Sequence, residues 1–367
     1  MARHDEDASL FRHEPHSAPT PAEVRAAAIA DPGFGRVFTD HMTLVNYTEG
    51  RGWHDARLVA RGPLSLDPAT AVLHYAQEIF EGLKAYRTTD GGLALFRPEA
   101  NAARFRASAE RMAMPALPDE LFLGAIRELL AVDRAWLPPI EGGSIYLRPF
   151  MIASEAFLGV RPAREYLFIV IASAAGSYFK NGARAVTLGV SRDQTRAGPG
   201  GTGAAKCGGN YASSLVAQGQ AIADGCDQVV FLDAVERRWI EELGGMNLFF
   251  LFADGTLVTP PLDGTILPGI TRDSLMTLAR EEGLTVREER YALDQWRADA
   301  EGGRLTEAFA CGTAAVVTPV GQVRDGANSF TIGSGAGGPV AARLRERLVS
   351  IQQGSAPDPH GWVHRLF

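Results

Sequence analysis

The chain has 367 residues, of which 46% are hydrophobic and 22% charged, the balance of a globular protein with room for two domains. A net charge of −7 with no Lys/Arg-rich block excludes a nucleic-acid surface. Three scattered cysteines (Cys207, Cys226, Cys311) without a CxxC suggest neither a zinc site nor a disulfide framework.

The first 35 residues read as a loosely ordered arm, with a short Ala-rich helix near 22–30. The polar, acid-containing start lacks signal-peptide features, and no apolar run reaches the roughly 18 residues of a membrane helix. The cytoplasm is the expected compartment. Residues 36–60 are extended. Residues 73–86 begin helical and end strand-like, with Gly82 at the change, and 93–96 form a short strand. Arg97-Pro98-Glu99 opens a helix to about Met112, with Pro in the first turn where its missing N–H costs nothing. A second helix over 119–132 places Leu121, Ile126, Leu129 and Leu130 on one face. Strands over 144–152 and 166–173 follow, the second almost wholly apolar.

Residues 174–184, small and glycine-containing, are the expected linker between a smaller N-terminal domain (1–173) and a larger C-terminal one (185–367). Beyond it, strands are predicted over 185–191, 228–233, 247–252, 256–259, 284–288, 307–311 and 315–317. Helices are predicted over 210–223, 271–282 and 340–353. In the helix over 210–223 the expected apolar face is Ala212, Leu215, Val216, Ile222 and Ala223. Strands and helices mix without a βαβ rhythm, so the fold class is mixed α/β (α+β).

The chemistry centres on Gly198-Pro199-Gly200-Gly201-Thr202-Gly203-Ala204-Ala205-Lys206-Cys207-Gly208-Gly209. The 36 basic residues include only three lysines, Lys84, Lys180 and Lys206. A guanidinium does not give up its proton, whereas a lysine amine does, so a lone lysine between glycine clusters is a candidate nucleophile. A nucleotide P-loop fails, because Ala205 precedes the lysine and Cys207 replaces the magnesium-binding Ser/Thr. A dinucleotide fingerprint fails for want of a strand-GxGxxG-helix unit. A Schiff-base lysine holding pyridoxal phosphate fits better. Such a site needs an acid for the ring nitrogen, for which Glu242 is the candidate, and an anion cup. Ile270 and Thr271 open a helix, Gly312-Thr313-Ala314 is a small-residue turn, and Arg104 adds charge.

These residues carry a resemblance. The chain resembles branched-chain amino acid aminotransferases, fold type IV enzymes dependent on pyridoxal 5'-phosphate (PLP), from Phe34-Gly35 to about Val320. The likeness rests on LHYAQEIFEGLKAYR (73–87), Phe96-Arg97-Pro98 with Arg104, Tyr146-Leu147-Arg148-Pro149 and Lys206-Cys207-Gly208-Gly209-Asn210-Tyr211. It continues in 242–247, 267–272 and Gly312-Thr313-Ala314. It implies a small α/β domain and a larger pseudo-barrel domain. Lys206 would be catalytic, with Glu242 on the pyridine nitrogen and Tyr211 on the ring oxygen. Arg104, Ile270, Thr271 and Thr313 would hold the phosphate, and Arg196 would lie near the cofactor loop.

The resemblance also implies a substrate pocket of Tyr75, Phe80, Tyr146, Arg148 and Tyr178, with Thr313 and Ala314 taking the α-carboxylate. The implied reaction moves the amine of leucine, isoleucine or valine to 2-oxoglutarate, in a homodimer. The alternatives are another fold type IV enzyme, such as a D-amino acid aminotransferase or aminodeoxychorismate lyase, or a PLP- or phosphate-binding protein without turnover. Two departures stand out. Ala315-Val316-Val317-Thr318 replaces the redox CxxC of mammalian members, and Ala174-Ala175 stands where some bacterial relatives carry Trp.

Overall fold

Two mixed sheets organise the chain in the computed structural model, which describes residues 10–176 and 184–367. Contacts divide it into one unit of Met1–Arg87, Gly91–Ser177 and His364–Phe367, and a second of Thr88–Asp90 and Tyr178–Val363.

The first unit runs β1 (Arg12–His13), α1 (Ala22–Ala30), β2 (Val37–Phe38), β3 (His41–Thr48), β4 (Gly52–Ala60), α2 (Ala71–Tyr75), β5 (Glu78–Phe80) and β6 (Leu83–Arg87). It continues through β7 (Leu93–Phe96), α3 (Pro98–Arg111), α4 (Asp119–Asp133), β8 (Ser144–Ala153) and β9 (Glu165–Ala175). The sheet order is β1-β4-β3-β9-β8-β6-β7, with Val363–Arg365 beyond β7. The central strand β9 is buried on both faces, which explains its unbroken apolar sequence. It continues through Ala175, two residues past its expected end, because Ile145 and Ser144 of β8 pair with Ala174 and Ala175. Helices α3 and α4 cover one side, where Phe105, Phe122 and Phe168 pack with ring centroids 5.4–6.1 Å apart. Five apolar residues of α4, Phe122, Ala125, Ile126, Leu129 and Leu130, are buried there.

The second unit contains β10 (Val186–Ser191), α5 (Gly208–Ala212), α6 (Leu215–Ala223), β11 (Gln228–Leu232), β12 (Ile240–Leu243), β13 (Asn247–Phe252), β14 (Thr256–Thr259) and α7 (Ile270–Glu281). Then come β15 (Thr285–Glu288), α8 (Leu293–Glu301), β16 (Leu305–Gly312), β17 (Val316–Asp325), β18 (Asn328–Thr331) and α9 (Pro339–Gln352). Its curled sheet has the order β12-β11-β10-β17-β16-β13-β14-β15, with β18 on β17. Leu188, Val230, Leu248, Phe250 and Val323 fill one face with Trp296 of α8, and Phe250 and Trp296 meet edge to face at 5.0 Å.

The sequence pattern misplaces one helix here. The helix expected over 210–223 is two, α5 and α6. The hydroxyls of Ser213 and Ser214 between them donate back to the carbonyls of Asn210 (2.9 Å) and Tyr211 (2.7 Å), competing with continuous helical bonding. The expected apolar face is also wrong, since Leu215, Val216 and Ile222 are each at least 60% exposed. The buried residues are Ala217 and Ala221, against Cys226, Val229 and Phe231. Gly189 of β10 explains this choice: a Cβ there would lie 3.2 Å from that of Ala221, so strand and helix approach too closely for larger side chains. Helix α8 went unread because LDQWRADAE is mostly polar, although its Trp296 is fully buried.

Glu307 of β16 fixes the start of α9. Its carboxylate accepts the N–H groups of Val340 (3.0 Å) and Ala341 (2.8 Å), the first-turn donors that a helix leaves unpaired. Glu307→Ala is expected to lower stability by about 1–3 kcal/mol, read as a reduced denaturation midpoint, with a smaller loss for Glu307→Gln.

Candidate active site

In the second unit, a tight turn sets the position of Lys206. Asn210 clamps it, donating from Nδ2 to the carbonyls of Thr202 and Ala205 (both 2.8 Å) and accepting from Thr202 Oγ1 at 2.7 Å. Gly203 is required for packing, because a Cβ there would collide with the Thr265 carbonyl. Lys206, half-buried, therefore leaves the chain just ahead of α5. Its Nζ lies 2.7 Å from Tyr211 Oη, one turn into that helix.

Glu242 approaches from β12. It is 3% exposed, and its carboxylate is held by Arg196, by Asn247 Nδ2 at 3.1 Å and by the Leu267 N–H at 2.9 Å. Arg196 is buried as well, and its Nη2 also donates to the carbonyls of Gly203 (2.9 Å) and Thr265 (3.1 Å). One guanidinium thus ties the lysine loop, the 265–267 segment and the carboxylate together. Burial pushes the Glu242 carboxyl up to about 7, against the pull of Arg196, the Leu267 N–H and Lys206. Arg196, Ala205, Tyr211, Glu242, Gly244, Gly245 and Leu267 line one small cavity.

Two backbone features border this cluster. Helix α7 starts at Ile270, with Thr271 buried, so its first N–H groups and dipole make an anion-favouring end. Asn247 Nδ2 steadies the approach by donating to the Leu267 carbonyl at 3.0 Å. Thr313 and Ala314 sit in the turn between β16 and β17, directly after Gly312, where a Cβ would meet Met246 and the Gly245 carbonyl. Val316, which ends this turn, has φ +63°, a left-handed conformation costly for a β-branched residue.

The first unit holds a different group. Tyr146, Arg148 and Phe150 project from one half-buried face of β8. The Arg148 guanidinium lies 4.8 Å from the Phe80 ring centroid and donates to Tyr146 Oη at 3.3 Å. Phe34 meets Tyr146 edge-on at 4.9 Å. A Cβ at Gly82 would strike the Tyr146 hydroxyl, so that glycine is what admits the ring. Tyr75, at the end of α2, donates its hydroxyl to the Leu158 carbonyl. Arg104 of α3 is gripped by Glu81, with Nε–Oε1 at 2.7 Å and Nη2–Oε2 at 2.9 Å.

The structure thus brings Lys206, Tyr211, Glu242 and Arg196 together in one unit, and Phe80, Tyr146 and Arg148 together in the other. Tyr178 lies outside the described residues. Sequence reasoning missed Asn210, Asn247 and Glu81 as the residues that hold Lys206, Glu242 and Arg104. All three stand inside motif blocks singled out above, but their partners are fixed only by folding. Among the described residues no group of three metal-ligating side chains occurs, and no helix is long and apolar enough to cross a membrane.

A buried carboxylate, an amine beside a phenol and a nearby helix N-terminus can together hold a flat, cationic heterocycle carrying a phosphate. Relatives agree with that chemistry. Residues 78–323 match the family described as amino-transferase class IV. A probable branched-chain-amino-acid aminotransferase of Streptomyces coelicolor is 58% identical over 96% of this chain and 98% of its own length. The branched-chain-amino-acid aminotransferase of Mycobacterium tuberculosis is 56% identical over 93% and 94%. Among solved structures, the branched-chain amino acid aminotransferase of Escherichia coli covers 89% of this chain and 99% of its own at 30% identity, TM-score 0.72. A T.th. branched-chain amino acid aminotransferase with pyridoxamine 5'-phosphate covers 88% and 98% at 31% identity, TM-score 0.73.

Glu242 gives the unliganded protein a characteristic pH response. Its folded-state proton affinity lies above its ordinary value of 4.5, so the stability it contributes is complete below about pH 4.5 and is lost as pH rises through about 7. The melting temperature of the cofactor-free protein should fall across that window more steeply in the wild type than in Glu242→Gln, as calorimetry at a series of pH values would register.

Proposed function

The chain belongs to the class IV aminotransferases, and from that membership we propose that it is a PLP-dependent branched-chain amino acid aminotransferase. It moves the amino group of L-leucine, L-isoleucine or L-valine to 2-oxoglutarate. The observation that carries this reading is the Lys206 amine 2.7 Å from the Tyr211 hydroxyl, in the same unit as a buried Glu242.

The residues present fit the cofactor. Glu242, inside the protein yet bonded by three donors, is an acceptor for a pyridine N–H. Tyr211 offers its hydroxyl to the ring oxygen, and Gly244 and Gly245 leave the cavity wall flat. The Ile270 and Thr271 N–H groups and Thr313 would take the phosphate, and Arg104, expected to add charge there, is paired with Glu81 within the first unit. When bound, PLP supplies an electron-withdrawing ring that makes the amino acid's Cα–H acidic.

Lys206 does two jobs in this scheme. Its Nζ would hold the cofactor's aldehyde carbon, and as a free amine it would take the proton from the substrate's Cα. The Tyr211 hydroxyl at 2.7 Å keeps that nitrogen oriented. Glu242, ionised, would keep the ring nitrogen protonated, its negative charge accepting the pyridine N–H. Phe80, Tyr146 and Tyr75 would provide apolar walls for an aliphatic side chain, the expected set including Tyr178 outside the described residues. Arg148 meets the distal carboxylate of glutamate, and the Thr313–Ala314 backbone takes the α-carboxylate. We further propose that the linker expected over 174–184 begins only after Ala175, the last residue of β9, between an N-terminal small domain (1–173) and a cofactor domain (185–367), and that the enzyme is a cytoplasmic homodimer.

Two measurements test the reading. An amino-donor panel with 2-oxoglutarate should show turnover of L-leucine, L-isoleucine and L-valine, whereas D-alanine or aminodeoxychorismate turnover without L-leucine would replace it. Lys206→Ala should lose the visible absorbance of lysine-bound cofactor and at least about 10³-fold of transamination. Retained steady-state activity would remove Lys206 from the mechanism.

A further inference from the structure

Leu267 is bonded through both of its backbone groups to one buried pair of side chains. Its N–H donates to Glu242 Oε1 at 2.9 Å, and its carbonyl accepts from Asn247 Nδ2 at 3.0 Å. The same Nδ2 donates to Glu242 Oε2 at 3.1 Å, so the three residues close a ring of hydrogen bonds. A carboxylate and a carbonyl both need a donor, which fixes the nitrogen end of the Asn247 amide toward them and turns Oδ1 away. Asn247 is buried, and its two amide hydrogens serve these two acceptors. Buried bonds closed in this way reinforce one another and hold their members at one separation.

The other end of that amide explains Gly269. This residue has φ −70° and ψ 127°, a conformation open to any amino acid, so the backbone does not call for glycine. A Cβ there would collide with Asn247 Oδ1. Gly269 immediately precedes Ile270, where α7 begins. Leu267-Pro268-Gly269 is therefore a short strut, stiffened by proline, with Asn247 bonded to its first residue and packed on its last. The strut joins the buried carboxylate to the anion-favouring end of α7. The backbone of Asn247 serves a third element, pairing with Cys311 of β16 directly before the turn of Gly312, Thr313 and Ala314. A ligand held at two ends gains from the second anchor only when the separation of the anchors matches its own. With its hydrogens committed inside the protein, Asn247 can act on the cofactor only through Glu242 and α7.

We propose that Asn247 is a positioning residue that sets the separation between Glu242 and the N-terminus of α7, so that one cofactor molecule meets both at once. The role rests on the assignment of Glu242 to the ring nitrogen and of the α7 N-terminus to the phosphate. No bond to Asn247 is made or broken in the reaction.

The ratio of the dissociation constants of pyridoxal and PLP measures what the phosphate adds once the ring is held. Titrating the full-length, cofactor-free chain with each, followed by the visible absorbance of the lysine-bound form, gives that ratio. Asn247→Ala should lower it by about tenfold, the worth of one or two buried hydrogen bonds. Gly269→Ala presses on Oδ1 from the other side and should lower the ratio in the same direction. Combined with Asn247→Ala it should have no further effect, because the oxygen it strikes is gone. A merely structural role would lower the melting temperature and weaken both ligands by the same factor. Asn247→Ser takes the place of Asn247→Ala should the latter not fold. A ratio equal to that of the wild type, in whichever variant folds, overturns the proposal. Failure of the underlying assignment looks different: the wild type itself would bind PLP no more tightly than pyridoxal, or Glu242→Gln would leave the affinity for both unchanged.

Discussion

A carboxylate inside a protein must be either protonated or tied to cations and donors, and Glu242 is held between these states. Arg196, Asn247 and the Leu267 N–H are arranged around it. Two of these partners also hold backbone: Arg196 holds the Gly203 and Thr265 carbonyls, and Asn247 holds that of Leu267. The lysine loop, the approach to α7 and the turn after β12 are thereby fixed by the same set of bonds that keeps one negative charge buried. Removing Arg196 would therefore loosen the architecture of the loop as well as change an acidity.

The first unit solves a different physical problem. A pocket that accepts both an aliphatic side chain and a carboxylate needs apolar walls with a cation laid against them. In the proposed pocket the alternation of β8 would supply this, with Tyr146 and Arg148 on one face and fully buried Ile145 and Leu147 on the other. The guanidinium lies against Phe80 and donates to Tyr146, while its buried Nε has no hydrogen-bond partner among the described residues.

Much of this was legible in the sequence, for local reasons. Lys206 and Tyr211 lie about one helical turn apart, Pro268-Gly269 marks the helix start at Ile270-Thr271, and Gly312-Thr313-Ala314 is a small-residue turn. Strand β9 and helix α4 announced themselves by an unbroken apolar run and by periodicity. The misreadings share a cause in long-range packing. Leu215, Val216 and Ile222 weigh heavily in any apolar count, yet Gly189, on a strand that precedes the whole lysine loop, decides that Ala217 and Ala221 face inward. The clamps were hidden for the same reason: nothing local in Asn247 or Glu81 says which charge it will hold.

The left-handed Val316 bears on how such an enzyme can be improved. A glycine would adopt φ +63° without steric cost, but it would strip out a buried side chain and add freedom to the unfolded chain. Relief of strain and loss of packing therefore oppose one another here, and valine also limits the backbone freedom of the turn that carries Thr313 and Ala314. A library that replaces left-handed residues with glycine by rule gains little at this position.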